Sequence, residues 1–291
     1  MATPRNPAAA STLTPGDGTP QRLRARPHDW LIRRWGAGPQ ALLLHGAGGD
    51  SAGWQRLAAD LPGLDCIAPD LPGQGGTRAG APRFSLDDMA TDLAALVQHQ
   101  GWTPQLLIGH SAGTAIALRL SELLPDPPRA IIGINAALSP FQGVAGWLFP
   151  RLARAMTLSP FAAHAIARMA RTPERAARLI RSTGSAPDAR MVARYGMLLS
   201  DPGHVAATLR MMAAWRLEPL LKTLPQITPP VLLIAAAQDR AVPAEVSRHA
   251  ASRLQNADYV ELPALGHLAP EEDPAAVARA MQSFLNTHMP S

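Results

Sequence analysis

The sequence predicts an α/β fold: a mostly parallel central sheet flanked by helices, with a helical cap inserted into it. Three observations lead there. Short apolar runs alternate with segments of helical spacing, the pattern of a parallel sheet covered on both faces. The alternation breaks once, between Ser139 and Pro225, in a stretch that is helical in pattern throughout. Three small-residue or polar loops, carrying a serine, an aspartate and a histidine, each follow an apolar run.

Taken in order, residues 1–25 read as a flexible tail. The first twenty are rich in Ala, Pro, Thr, Ser and Gly, with no apolar segment behind a basic start, unlike a signal peptide. Buried strands are expected at 41–45, 66–69, 106–109, 130–135, 231–236 and 259–262. Helices are expected at 54–60, 85–98, 112–124, 244–254 and 274–285, the second opened by Ser85 with Asp88 three residues later as a cap. The core thus comprises 26–138 and 226–291, and 139–225 forms the cap as four or five short helices. The uncharged run 130–150 contains Asn135, Ser139, Pro140 and Gln142, and reads as a strand and loop rather than a membrane span.

Composition narrows the function. Of 291 residues, 47% are hydrophobic and 17% charged, enough apolar material for one large core. The net charge of +5 comes from 26 arginines and a single lysine, Lys222, against 22 acids, too mild a balance for a nucleic-acid binder. The lone Cys66 excludes an intramolecular disulfide and a thiolate metal cluster, and fits a reducing cytosol or indifference to redox state. His164 and His204 have no carboxylate or histidine at ligand spacing, so neither a metal nor another cofactor is expected.

The chemistry sits in the loops. Gly109-His110-Ser111-Ala112-Gly113 joins a strand to a helix, where a sharp turn lifts a serine hydroxyl above the sheet and needs small residues two before and two after it. Alone, the pentapeptide is equally a glycine-rich turn with a passive serine. His45-Gly46-Ala47-Gly48-Gly49 follows an earlier strand, where a second oxyanion donor belongs. The amides of Ala47 and Ala112 are the candidate pair. A dinucleotide loop is excluded there because Ser51 occupies the last glycine position. Asp239 follows the strand at 231–236 and His267 the strand at 259–262. Ser111 needs a base, His267 can take and return its proton, and Asp239 can hold the imidazole tautomer. His45, His110 and Asp70 read as turn-organising residues, and Cys66 as packing.

The cap carries the charge. Residues 139–225 hold 11 arginines and Lys222 against four acids, a net +8 that leaves −3 on the rest. This is either a solvated helix face or a lid that attracts an anionic substrate or a negatively charged membrane surface. Met211, Met212 and Trp215 share one helical face, suited to core packing or to a large flat apolar ligand. Together with Trp147, Arg210 and Arg216 they are the candidate substrate-binding residues of the cap.

Ser, then Asp, then His is the chain order of the α/β-hydrolase fold, and residues 28–287 resemble that superfamily. The segments 133–138 (GINAAL), 143–154 (GVAGWLFPRLAR), 182–185 (STGS) and 195–220 (YGMLLSDPGHVAATLRMMAAWRLEPL) are similar to the magnesium-chelatase accessory proteins of bacteriochlorophyll biosynthesis, as is Arg26-Pro27-His28-Asp29-Trp30. The chain departs from that family after Trp30, where only residues 31–40 precede the first His-Gly. The resemblance implies a role at or near magnesium insertion into protoporphyrin IX. It also implies an amphiphilic or tetrapyrrole substrate, a contact with magnesium chelatase and a place in the cytoplasm or at a membrane surface. Three functions stay open: a serine hydrolase of such an ester, a non-catalytic porphyrin-binding accessory protein, and a generalist carboxylesterase.

Overall fold

The computed structural model describes residues 17–139, 162–169 and 172–289. Eight strands form one sheet: β1 (Gln21–Ala25), β2 (His28–Trp35), β3 (Gln40–Leu44), β4 (Asp65–Pro69), β5 (Leu106–His110), β6 (Ala130–Ile134), β7 (Val231–Ala236) and β8 (Ala257–Leu262). Their order across the sheet is β1-β2-β4-β3-β5-β6-β7-β8, and every pairing from β4 to β8 is parallel.

The central strands are fully buried because successive side chains feed two different cores. Leu42 and Leu44 of β3 face one core, with helices α2 (Leu86–Gln100) and α3 (Ala112–Ser121). Ala41 and Leu43 face the other, with α1 (Gln55–Ala59) and the C-terminal Pro274–His288 helix. That alternation explains why the strands read as continuous apolar runs. The Ser85 cap forms as expected: its hydroxyl accepts from Asp88 N–H, and the Asp88 carboxylate accepts from Ser85 N–H.

One expectation is corrected. Residues 17–25 are not part of a flexible tail. β1 pairs antiparallel with β2, from Gln21 opposite Ile32 to Ala25 opposite His28. The QRLRA segment alternates: Leu23 and Ala25 are buried while Arg22 and Arg24 are exposed, and the Trp30 indole N–H donates to Ala25 C=O at 3.0 Å. β2 then pairs antiparallel with β4, which gives the segment before the first His-Gly its place at the sheet edge.

Within 139–225, five helices lie among the described residues: α4 (Ala162–Met169), α5 (Pro173–Ser182), α6 (Ala189–Ser200), α7 (Pro202–Ala214) and α8 (Glu218–Thr223). Among the described residues, no helix is long and apolar enough to cross a membrane.

Candidate active site

The turn from β5 into α3 leaves Ser111 at φ 54°, ψ −119°, a left-handed backbone that costs a non-glycine residue on the order of 1–3 kcal/mol. Its surroundings enforce it. Ser111 N–H donates to Ile134 C=O at 2.9 Å, and Ser111 C=O accepts from Thr114 and Ala137 N–H. A Cβ on Gly113 would stand 2.0 Å from Leu44 O, and one on Gly109 2.4 Å from Gly113 O. Strand and helix therefore approach closely enough only with glycines two before and two after the serine.

Asp239 lies just beyond β7 with its side chain fully buried. Its Oδ1 accepts from the N–H groups of Ala241 and Val242, both at 2.8 Å, which aims Oδ2 at His267 Nδ1, 2.7 Å away. The His267 loop, beyond β8, is held from several sides. Its carbonyl accepts from His110 Nε2 at 2.7 Å and from Asn135 Nδ2 at 2.9 Å. Asn135 Nδ2 also donates to Gly266 C=O, and its Oδ1 accepts from Ala236 N–H, tying the two loops together. From the cap, Ser185 Oγ accepts from Leu268 N–H, and Thr183 C=O accepts from Arg240 N–H. In the sequence reading neither Asn135 nor 182–185 had a role at the site. An Asn closing a strand, here at φ 49°, was the available signal for its bracing role.

The turn holding Ala47 is built by neutral histidines. The hydrogen-bond pattern assigns His45 a proton on Nδ1, which donates to Gly46 C=O, while Nε2 accepts from Leu71 N–H. His204, on α7, accepts from Gly75 N–H through Nδ1 and donates to Gly48 C=O through Nε2. Asp70 accepts from Ser51 and Gly76 N–H, as a turn organiser should. Burial holds all three histidines, His45, His110 and His204, below the ordinary imidazole range. For His110, burial and then the neighbouring His267 push it to about 3.

The sign of the resulting pH dependence follows. Below the unfolded histidine value of about 6.5, the unfolded chain takes up protons that the native state refuses, so stability falls as pH falls toward 5. Glu271, held above the usual carboxylate range chiefly by burial, works in the opposite direction, one group against three. The urea midpoint is expected to be lower at pH 5 than at pH 7.5. A higher midpoint at pH 5 would contradict neutral buried histidines.

Ser111, His267, Ala47 and Ala112 border one cavity of about 680 Å³, together with Trp54, Leu199, Met211, Met212 and Trp215. A volume of this size suits a drug-sized or larger ligand. Gln74 steadies Met211, donating to its sulfur at 3.3 Å. Two candidate residues fall elsewhere. Arg210 and Arg216 are exposed and do not border the cavity, and the Arg210 guanidinium lies over the Phe84 ring, 5.7 Å from its centre. For Arg210 the reason is helical phase: adjacent residues point roughly 100° apart, so a helix that turns Met211 inward turns Arg210 away. Arg216 lies past the end of α7, after Trp215, whose backbone is extended. Trp147 lies outside the described residues. Among the described residues no group of three or more His, Cys, Asp or Glu could hold a metal ion.

A further feature was missed. Arg194 of α6 reaches out of the cap to two core carboxylates, Asp50 beside the Ala47 turn and Glu271 beyond His267, and Tyr195 Oη donates to Glu271 at 3.0 Å. The three charged side chains are only 12–16% exposed.

A serine on a strained strand-to-helix turn after β5, an aspartate beyond β7, a histidine beyond β8 and helices inserted between β6 and β7 define the class. The chain belongs to the α/β-hydrolase fold family, whose model matches residues 42–274. Within that class it is 44% identical over 273 residues to the "Magnesium-chelatase 30 kDa subunit" of Rhodobacter capsulatus, covering 91% of this chain and 94% of that one. Among solved structures it resembles a putative lipase from Acinetobacter baumannii AYE (TM-score 0.78, 20% identity, covering 94% and 93% of the two chains). It also resembles a thermophilic esterase from Thermogutta terrifontis (TM-score 0.74, 24% identity, covering 92% and 99%). These two likenesses speak for the fold.

Proposed function

We propose that the chain is a serine hydrolase acting on an ester of an amphiphilic, tetrapyrrole-class substrate, at or near magnesium insertion into protoporphyrin IX. The observation that carries the hydrolase reading is Ser111 on its strained turn, opening into the same apolar cavity as a His267 already bonded to Asp239. The relative named as a magnesium-chelatase subunit supports the pigment setting.

The steps follow from proton chemistry. Ser111 Oγ attacks the ester carbonyl as His267 Nε2 takes its proton, and Asp239 steadies the imidazolium through Nδ1. The Ala47 and Ala112 amides receive the developing oxyanion. His267 returns the proton to the departing alcohol. A water molecule, deprotonated by the same histidine, then releases the acyl group as a carboxylic acid.

The word "subunit" in that relative's name favours a second reading, in which the chain binds a porphyrin and contacts the chelatase without catalysis. The exposed Arg178, Arg181 and Arg190 would then serve a protein partner or an anionic membrane surface. Complementation of a pigment-deficient strain separates the two. The hydrolase reading expects the wild-type gene to restore pigment and the Ser111→Ala variant, expressed at equal level, to fail. Equal restoration by both would favour the binding role.

A further inference from the structure

An arginine-rich cap implies an attraction for anionic substrates, but among the described residues its arginines do not border the cavity. Among the described residues of the cap, Arg168, Arg175, Arg178, Arg181, Arg190, Arg210 and Arg216 are all exposed. No lysine or arginine is among the described residues that border the cavity, whereas Asp50 and Glu271 are. Among the described residues the one cap arginine turned inward, Arg194, is engaged by both of those acids at once. The cluster is seated tightly: a Cβ on Gly53 would come 2.9 Å from Arg194 Nη1 and 3.1 Å from Glu271 Oε1.

The Arg194 charge at this wall is thereby opposed by two carboxylates. With both acids ionised the cluster carries −1, and with Glu271 protonated it carries zero. His45 and His110, at the same end of the cavity, are held neutral by burial. A carboxylate entering here would lose its hydration and find no free cation among the described lining residues, a cost that an uncharged ester does not bear.

We infer that Asp50, Arg194 and Glu271 set the specificity of this cavity, admitting an uncharged ester arm and refusing an acyl group that carries a free carboxylate. The inference rests on the hydrolase reading above and narrows its substrate class. For an amphiphile with several acid side chains, the arm that enters is the esterified one, and free acids stay outside. It also bears on turnover. Hydrolysis breaks the acyl C–O bond, places the hydroxyl of water on the acyl carbon and a proton on the alcohol. The acid produced then ionises beside Asp50 and Glu271, which favours its departure.

The test compares two esters of equal chain length, p-nitrophenyl hexanoate and the mono-p-nitrophenyl ester of adipic acid, which differ in a terminal carboxylate. For the wild-type chain, kcat/KM for the hexanoate is expected to exceed that for the adipate by about tenfold or more. In the Asp50→Asn/Glu271→Gln double variant Arg194 is left without its acids, and the ratio is expected to shift by about tenfold or more toward the adipate. Each ratio is taken on one preparation, so the fraction of folded enzyme cancels. Glu271→Gln alone is the milder variant, expected to move the ratio in the same direction. Equal turnover of the two esters by the wild type, or an unmoved ratio in the variants, overturns the inference while leaving the hydrolase reading intact. If the wild type cleaves neither ester, the hydrolase reading fails. The inference is then decided by quenching of Trp54 and Trp215, where binding of hexanoate as tight as that of methyl hexanoate overturns it.

Discussion

Ser111→Ala is expected to lower kcat/KM for p-nitrophenyl esters by on the order of 10⁴-fold or more, with KM little changed. The substitution removes one oxygen and nothing that holds the turn. The bonds from Ser111 N–H to Ile134 and from Thr114 and Ala137 N–H to Ser111 C=O are all backbone. The left-handed φ at 111 is set by those bonds and by the glycines on either side, so the alanine variant keeps the wild-type fold. Unchanged far-UV circular dichroism with lost turnover is the combined result that assigns the effect to chemistry. Residual activity within a few-fold of wild type would mean that another group is the nucleophile.

Asp239→Asn should cost nearly as much, by about 10³–10⁴ in kcat, for a reason visible in the bond pattern. Asp239 uses Oδ1 to accept from Ala241 and Val242 N–H and Oδ2 to accept from His267 Nδ1. An asparagine keeps its carbonyl oxygen toward the two amides, which leaves its NH₂ facing Nδ1. Two donors cannot face one another, so His267 would move its proton to Nε2 and lose the lone pair that takes the serine proton. The expected signature is a fall in kcat with KM and thermal midpoint nearly unchanged. A variant retaining a tenth of wild-type kcat would contradict the tautomer argument.

The parts of this site legible in the sequence are those governed by local sterics. Gly109 and Gly113 mark the turn because a Cβ at either would overlap backbone within the same strand–turn–helix unit or the adjacent strand. The order of Ser111, Asp239 and His267 was readable because each lies just beyond a strand. Of these strands β5 and β7 are fully buried, whereas β8, expected to be buried, is an edge strand with Asp258 and Glu261 in it and none of its residues fully buried. The β1–β2 hairpin was less legible. β2 carries Arg33 and Arg34 between its apolar residues, and its partner β4 lies thirty or more residues away. The phase of α7 against the core, which turns Met211 in and Arg210 out, depends on tertiary packing that spacing alone does not record. The Arg194 cluster is the extreme case: its partners stand 144 and 77 residues away in the chain, and each charge by itself reads as one more surface residue.

The cap is consequently more than a basic lid. Among its described residues, the exposed arginines and the inward apolar face are separate features, and the cap is joined to the core at the Ala47 turn by His204 and at both the Ala47 and His267 turns by the inward Arg194. Among the described residues, that leaves the Ser111 end of the cavity without a lysine or arginine and with Asp50 and Glu271 on its wall, bordered by the serine whose activation is the central claim.

The most direct measurement of that claim is the intact mass of the protein after brief exposure to a fluorophosphonate probe, followed by peptide mapping. Activation by His267 and Asp239 predicts a single adduct on Ser111, formed rapidly in the wild type and absent from Ser111→Ala. A folded wild-type protein left unmodified, or modified at a residue other than Ser111, would contradict it.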